Sequence, residues 1–231
     1  MKTIFLLTGV SLITFVGSIK DYDGNNYETI KIGSQKWSNT TLSVTHFNNG
    51  DPIVIAKSID EWDSLGKESI PACAYNDFNP LNSKDVVYNW YVVNDSRGIC
   101  PKGWRIPSMK DFEKMIIALG GFEVAVGGFE VAGKKMKSSS GWEYMQGNNE
   151  AGLNIQPKAS LQGKVFSGSN VTGFVYLGEY SYLWTRDAVG PISDSNLKSF
   201  GYFLQINGYD DKVGFYSNPN NFQGNYIYIV K

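Results

Sequence analysis

The side chains able to do chemistry are few, and their spacing excludes most of it. His46 is the chain's one histidine, which rules out a metal centre built on several imidazoles. It stands in Ser43-Val44-Thr45-His46-Phe47-Asn48. No G-x-S-x-G run supplies a serine nucleophile for it to activate, so it reads as an ordinary loop histidine. Asp21, Asp23 and Asn25 alternate as the first ligands of a calcium loop do. That loop needs glycine at its sixth position and glutamate at its twelfth, where this chain has Asn26 and Ile32. The run therefore reads as a solvated turn. No catalytic residue, metal site or cofactor is expected, and the chain is read as a non-enzyme.

Two cysteines, Cys73 and Cys100, complete the reactive set. An even number without C-x-x-C spacing, in a chain read below as exported, points to a Cys73–Cys100 disulfide. Closing a loop of about 28 residues would stabilise the fold by roughly 3–4 kcal/mol in the chain-entropy account. The alternative is two buried free thiols.

Aromatic residues make up 14% of the chain. The segments 178–187 and 201–216 hold Tyr180, Tyr182, Trp184, Tyr202, Tyr209 and Tyr216. Exposed Tyr and Trp rings stack on sugar faces or anchor protein partners, so Tyr180, Tyr182, Trp184, Tyr202 and Tyr209 are the candidate binding residues. The competing reading is that such rings fill the core under long loops, and Trp90 and Trp104 are assigned to the core outright.

Those residues must be positioned by a domain that follows an export signal. Met1-Lys2-Thr3 is a short positive start, residues 4–16 are largely apolar, and Gly17-Ser18 closes the run. This is the layout of a cleavable signal peptide, too short for the roughly 20 residues of a membrane helix. Residues 1–18 are assigned to the signal, with cleavage after Ser18, and residues 19–231 to one domain. Phe15-Val16-Gly17-Ser18 is similar to a bacterial lipoprotein site in which serine stands where the lipidated cysteine would be, so no lipid anchor is expected at Ser18. The expected location is secreted, periplasmic or at the cell surface. A net charge of −1 leaves no basic patch for nucleic acid.

The elements are mostly strands. Asp21-Tyr22-Asp23-Gly24-Asn25-Asn26 is a turn cluster, Tyr27-Glu28-Thr29-Ile30-Lys31-Ile32 alternates with period two, and Gln35-Lys36-Trp37 starts a partner strand beyond Gly33-Ser34. A helix is expected over 109–119, entered by Pro107 and Ser108 and stopped by Gly120-Gly121, with Phe112, Met115, Ile116 and Leu119 on its buried face. A second helix is expected over 85–93, although periodicity does not separate a buried helix from a buried strand in so short a run. Residues 120–133 hold a tandem repeat of seven residues, Gly-Gly-Phe-Glu-Val-Ala followed by Val126 and then by Gly133. Two copies are too few for a solenoid and read as a lengthened loop or hairpin. Strand-like pieces follow at 173–177, 181–185, 200–206, 213–216 and 226–230, separated by turn signals such as Asn207-Gly208.

Five local patterns occur in an order that resembles the Fibrobacter succinogenes major paralogous domain family. They are Asp23-Gly24-Asn25 with Tyr27; Ile32-Gly33-Ser34-Gln35-Lys36-Trp37 through Asn39 and Leu42; Tyr88-Asn89-Trp90-Tyr91; Cys100-Pro101-Lys102-Gly103-Trp104-Arg105-Ile106-Pro107-Ser108; and Tyr182-Leu183-Trp184-Thr185. The resemblance implies an α+β, C-type-lectin-like domain with two short helices, short antiparallel strands and long irregular loops. The chain departs from it in lacking a cysteine in the last strand and in carrying the repeat. C-type lectins that bind sugar through calcium use Glu-Pro-Asn or Gln-Pro-Asp, whereas the nearest string here is Gln156-Pro157-Lys158, with a positive charge in place of a ligand. The formylglycine-generating enzymes share the broad fold class but use a late cysteine pair that this chain lacks.

The function expected is an exported, non-enzymatic binding module of the bacterial envelope or extracellular space, with a glycan or an envelope protein as partner. The alternative is a structural subunit of an extracellular assembly, and an enzyme of the formylglycine-generating class is disfavoured.

Overall fold

The period-two run after the Asp/Asn turn forms a strand, as its alternation requires. In the computed structural model, which describes residues 14–81, 83–124, 128–163, 172–190, 200–217, 221 and 223–231, β1 (Phe15–Lys20), β2 (Asn26–Ile32) and β3 (Gln35–Ser38) form an antiparallel sheet in that order. The expected hairpin is β2–β3, with Ile32 opposite Gln35. Of the expected signal, residues 1–13 lie outside the described residues, and Phe15 to Ser18 open β1, an edge strand that is mostly exposed.

Next come β4 (Val54–Ile55), α1 (Ile59–Lys67), β5 (Ala72–Tyr75), β6 (Val86–Tyr88) and α2 (Trp90–Val93). Strands β4, β5 and β6 make a second sheet in which β4 runs parallel to β5. The single helix expected over 85–93 is thus corrected to a strand followed by one helical turn. Val87 faces one hydrophobic cluster while Val86 and Tyr88 face another, the alternation of a strand buried on both sides. Asn89 then breaks the strand. Its side-chain oxygen accepts from Val92 N (3.2 Å) and Ala72 N (3.1 Å), so it caps the turn and ties it to β5.

The helix expected over 109–119 is α3 (Met109–Ala118), followed by the hairpin β7 (Phe122–Val124) and β8 (Gly128–Glu130) and by α4 (Ala132–Met136). The two repeat copies pair with each other, Glu123 opposite Phe129, which is the hairpin reading of the duplication. The C-terminal half holds β9 (Ser160–Gln162), β10 (Gly173–Val175), β11 (Tyr180–Val189), β12 (Phe200–Asn207) and β13 (Val213–Ser217). Strands β9 and β10 pair, and a five-stranded sheet runs β11-β12-β13-β8-β7. The architecture is mixed α+β and mostly strand, with four α-helices among the described residues where two were expected.

Two hydrophobic clusters share walls. One gathers Trp37, Trp62, Phe112, Leu183, Leu204 and Tyr226; the other gathers Tyr27, Phe47, Tyr88, Trp90, Trp184 and Ile227. Trp90 is core as expected, whereas Trp104 is only half-buried against the second cluster. The expected disulfide is not formed: Cys73 and Cys100 are free thiols. Cys73 lies within the second cluster and Cys100 against it, each filling space as a small apolar group. Burial pushes both thiols up to about 12, so they are protonated near neutrality.

Asp111 fixes the entrance of α3. Its carboxylate accepts from Ser108 N (2.8 Å), Ser108 Oγ (2.6 Å) and Gln35 Nε2 (3.0 Å), and takes a two-pronged ion pair from Arg105. Burial works to raise its pKa, but the hydrogen bonds from Arg105 and Ser108, with the Arg105 charge, hold it well below the usual carboxylate range. A depressed folded pKa contributes stability above the unfolded value of about 4 that disappears as pH falls through the folded one. We expect Asp111→Asn to cost about 2–3 kcal/mol at pH 7, in line with charged hydrogen bonds. The difference from the parent should shrink below about pH 4, as read by urea denaturation at a series of pH values.

Candidate functional site

Strand alternation decides which aromatic residues of the five-stranded sheet reach solvent. On β11, Leu183 points into the first cluster, while Tyr180, Tyr182 and Trp184 share the other face. Across the ladder Tyr182 stands opposite Gln205, Trp184 opposite Phe203, and Phe203 opposite Tyr216. Along this face burial falls off. Trp184 is fully buried and donates from Nε1 to Tyr88 O (2.7 Å), Tyr182 is 7% exposed, and Tyr180 is half-exposed. Tyr216, 51% exposed, lies over Gly214, where an added Cβ would come within 3.0 Å of its ring. Glycine at 214 therefore lets that ring lie flat on the sheet.

Three loops extend the face. Glu143 N donates to Gly178 O (2.8 Å), Met145 N to Gly208 O (2.8 Å) and Gly208 N to Glu179 O (2.7 Å). These bonds join the segments around 144, 178 and 208, and at Gly208 a side chain would collide with the Glu179 carbonyl. Lys137 lies beneath them with no exposed side-chain surface. Its ammonium donates to Asp210 O (2.8 Å) and Asn207 O (3.3 Å), stands 3.5 Å from Asp211 Oδ1 and faces the Trp142 ring at 5.4 Å. Burial lowers its pKa and Asp211 works against that. A buried cation here gathers the carbonyls that shape the 207–211 turn.

The result is a run of rings in mutual contact. Tyr144 stacks on Tyr209 with centroids 4.1 Å apart and planes at 24°. Tyr209 meets Tyr180 at 5.7 Å, Tyr180 meets Tyr182 at 5.8 Å and Tyr176 at 5.6 Å, and Tyr182 meets Phe203 at 5.7 Å. Phe203 and Tyr216 close the run at 6.3 Å. Tyr176 holds the left-handed conformation at φ 63°, which costs a non-glycine residue about 1–2 kcal/mol, while its carbonyl accepts from Tyr180 N (3.2 Å) and Glu179 N (3.1 Å). Strain of this kind clusters at functional sites. Tyr209 Oη donates to Glu179 Oε2 (2.6 Å), and this bond raises the phenol pKa and keeps its proton in place. The surface thus offers flat apolar rings edged by the acceptors Glu179 and Gln205.

Of the five expected binding residues, Tyr180, Tyr182 and Tyr209 come together here. Trp184 belongs to the core, and Tyr202 alternates to the opposite face of β12. Tyr144 and Tyr176, 51% and 42% exposed, escape sequence reasoning because contacts between separate segments bring them to the surface; the aromatic residues near Gly141 and Gly178 are the available signal. Elsewhere, His46 Nδ1 lies 2.6 Å from Asp23 Oδ1, and Asp23 Oδ2 also accepts from Thr45 N and Oγ1. Asp21 accepts from Asn25 and Tyr27. These carboxylates staple the turn. Lys158 of the Gln156-Pro157-Lys158 string donates to Asp85 Oδ1 (2.5 Å) and Thr41 Oγ1 (3.0 Å). Among the described residues no three His, Cys, Asp or Glu side chains converge as a metal site would need.

If Lys137 holds the 207–211 turn, Lys137→Met leaves two carbonyls without their donor. We expect a loss of about 1–3 kcal/mol for each and a reduced near-ultraviolet circular dichroism signal as the Tyr144–Tyr209 stack loosens. Lys135→Met, removing a half-exposed pair with Glu150 at 3.1 Å, should change stability by less than about 1 kcal/mol.

No curated protein and no solved structure matches the chain significantly. The model of the Fibrobacter succinogenes major domain matches residues 30–216, a span that runs from β2 through the capped α3 to Tyr216 at the end of the ring run. The chain belongs to the Fibrobacter succinogenes major domain family.

Proposed function

We propose that this chain is an exported, non-enzymatic binding module on a C-type-lectin-like scaffold, and that it recognises neutral glycan through the tyrosine surface of the five-stranded sheet. The observation that carries the reading is the run of touching rings from Tyr144 to Tyr216, of which Tyr144, Tyr176, Tyr209 and Tyr216 are 42–51% exposed. Pyranose rings present flat C–H faces that lie on such rings, and their hydroxyls donate to carboxylate and amide oxygens at the edge. Glu143, Glu179 and Asp210 lie along this edge, so acidic glycans are disfavoured by like charge. Binding through calcium in the manner of the sugar-binding C-type lectins is not part of the reading, because the nearest string to their motif, Gln156-Pro157-Lys158, ends in a lysine whose ammonium is committed to Asp85 and Thr41.

Export rests on the N-terminal sequence. The fold tolerates cleavage after Ser18, since Phe15 to Ser18 lie on a mostly exposed edge and the buried residues begin at Asp21 and Tyr27. Expressed with its N-terminus intact in a bacterial host, the protein should appear outside the cytoplasm with the mass of residues 19–231 and no lipid. Cytoplasmic retention at full mass sinks the export reading.

Against a panel of soluble neutral oligosaccharides, Tyr180→Ala and Tyr209→Ala should each weaken binding by about tenfold, equivalent to about 1.4 kcal/mol. Tyr202→Ala on the opposite face should leave it unchanged. Absence of binding across the panel, together with a defined oligomer by mass measurement in solution, would favour a structural subunit that uses the same surface for assembly.

A further inference from the structure

A concavity of about 280 Å³ opens beside α2 and the 98–106 segment, and it shares no lining residue with the tyrosine surface. Its walls are apolar: Val92, Val93, Ile99, Ile106 and the half-buried Trp104 ring. Cys100 adds a protonated thiol, held so by burial, which makes it another apolar wall and a poor nucleophile.

Against this lining stand two arginines, Arg105 and Arg186, and among the described residues no carboxylate lines the cavity. Arg105 is fixed by its ion pair with Asp111 but keeps 40% of its side chain exposed. A guanidinium carries five donors, so the pair with Asp111 leaves some of them for a ligand. Arg186 is held only through its backbone, N donating to Pro107 O (2.8 Å), and among the described residues its guanidinium has no ion pair. The neighbouring acid, Asp187, is engaged elsewhere, accepting from Met109 N (2.5 Å) at the start of α3.

An arginine without an ion-pair partner among the described residues, at an apolar cavity, selects for a particular ligand shape. The volume lies just below the roughly 300–1,000 Å³ of drug-sized ligand sites, which limits an occupant to a small molecule and excludes a nucleotide. Inorganic phosphate would satisfy the arginines and leave the apolar walls unused. A neutral hydrocarbon would do the reverse.

We propose that this cavity binds a small amphipathic monocarboxylate, with an aromatic or branched aliphatic body between Val93, Ile99 and Trp104 and its carboxylate on Arg186 and the open edge of Arg105. The site is independent of the tyrosine surface. An exported module with both would take up an organic acid on one face while holding a glycan on another.

Isothermal titration of the purified chain with phenylacetate and 3-methylbutanoate tests this, with phenylacetamide as the neutral isostere. At least one acid should bind with a dissociation constant of about 1 mM or tighter. The matched amide should bind at least about tenfold more weakly, as charge-assisted bidentate contacts imply. Arg186→Gln should remove the preference for the acid. Val93→Trp, which fills the cavity from a half-exposed position, should abolish binding while the melting temperature is retained, and Tyr180→Ala should change nothing. Equal affinity for acid and amide, an unaltered Arg186→Gln variant, or no acid binding at about 10 mM, tenfold above that expectation, overturns the proposal. So does a tripeptide ending in phenylalanine that binds more than about tenfold tighter than either acid, since that outcome assigns the cavity to peptide termini.

Discussion

The last eight residues of the chain are the wall on which the rest of the domain is built. Tyr226, Tyr228 and Val230 point into one hydrophobic cluster and Ile227 and Ile229 into the other, all between 0% and 4% exposed. A segment buried on both faces has no water for its amides, so each must find a partner in the protein. Backbone bonds run along it, Gly224 with Leu161, Asn225 with Tyr88, Tyr226 with Trp184 and Tyr182, Ile227 with Leu42, Ile229 with Ser38, Val230 with Arg105 and Lys231 with Lys36. One short segment thereby joins β3, β6, β9, β11 and the entrance of α3. The segment is held by buried side chains and backbone bonds, without a covalent link, and the two thiols elsewhere stay unlinked.

The tyrosine surface follows from that wall. Strand β11 bonds to Tyr226 through Tyr182 and Trp184, which fixes its inner end in the second cluster. On one face of the strand burial declines from Trp184 through Tyr182 to the half-exposed Tyr180. Trp184, Tyr182 and Tyr180 are thus one row of rings passing from core to solvent. The loops that add Tyr144 and Tyr209 sit beyond the reach of the C-terminal segment and depend on the buried Lys137 ammonium instead.

What the sequence discloses tracks how local each feature is. The α3 entrance is written in neighbouring residues: Ser108 caps the helix as expected, and Asp111 completes a capping box with it. The β2–β3 hairpin and the self-pairing of the repeat are equally local. Helix α1 has a comparable start, Ser58 accepting from Glu61 N (3.2 Å), but its one buried aromatic, Trp62, gives too faint a stripe to stand out. Residues 85–93 are ambiguous in principle, since a strand buried on both faces has no polar side to betray its period. For the run of tyrosine rings, the segments that carry part of it are legible in the sequence and the full set of touching rings is not. Trp184 and Tyr180 have the same parity on one strand, and only the position of Tyr226 decides that the first is core. Tyr144 lies some 65 residues from its stacking partner Tyr209, a proximity created by backbone bonds between loops that no periodicity signals.

The duplicated heptad has its own physical logic beside this surface. Without it β13 would be an edge strand with exposed aromatic residues, the kind of edge that invites pairing with other chains. Strand β8 covers the first half of that edge, setting Phe129 opposite Val213 and Gly128 opposite Gly214. Phe129 meets Phe215 edge-on at 6.3 Å, Phe215 meets Phe112 at 6.4 Å and Phe112 meets Trp37 at 5.2 Å. A line of rings therefore anchors the hairpin to the deepest part of the first cluster, on the face of β13 opposite Tyr216. The coverage stops at Gly214, so Tyr216 keeps its exposure while the backbone that carries it is held by pairing on its other side. A duplication is a direct route to such a hairpin, because both strands inherit the same period-two alternation; the register sets Phe129 opposite Glu123 and Phe122 opposite Glu130, so Phe129 is buried on one face while Phe122 is exposed on the other.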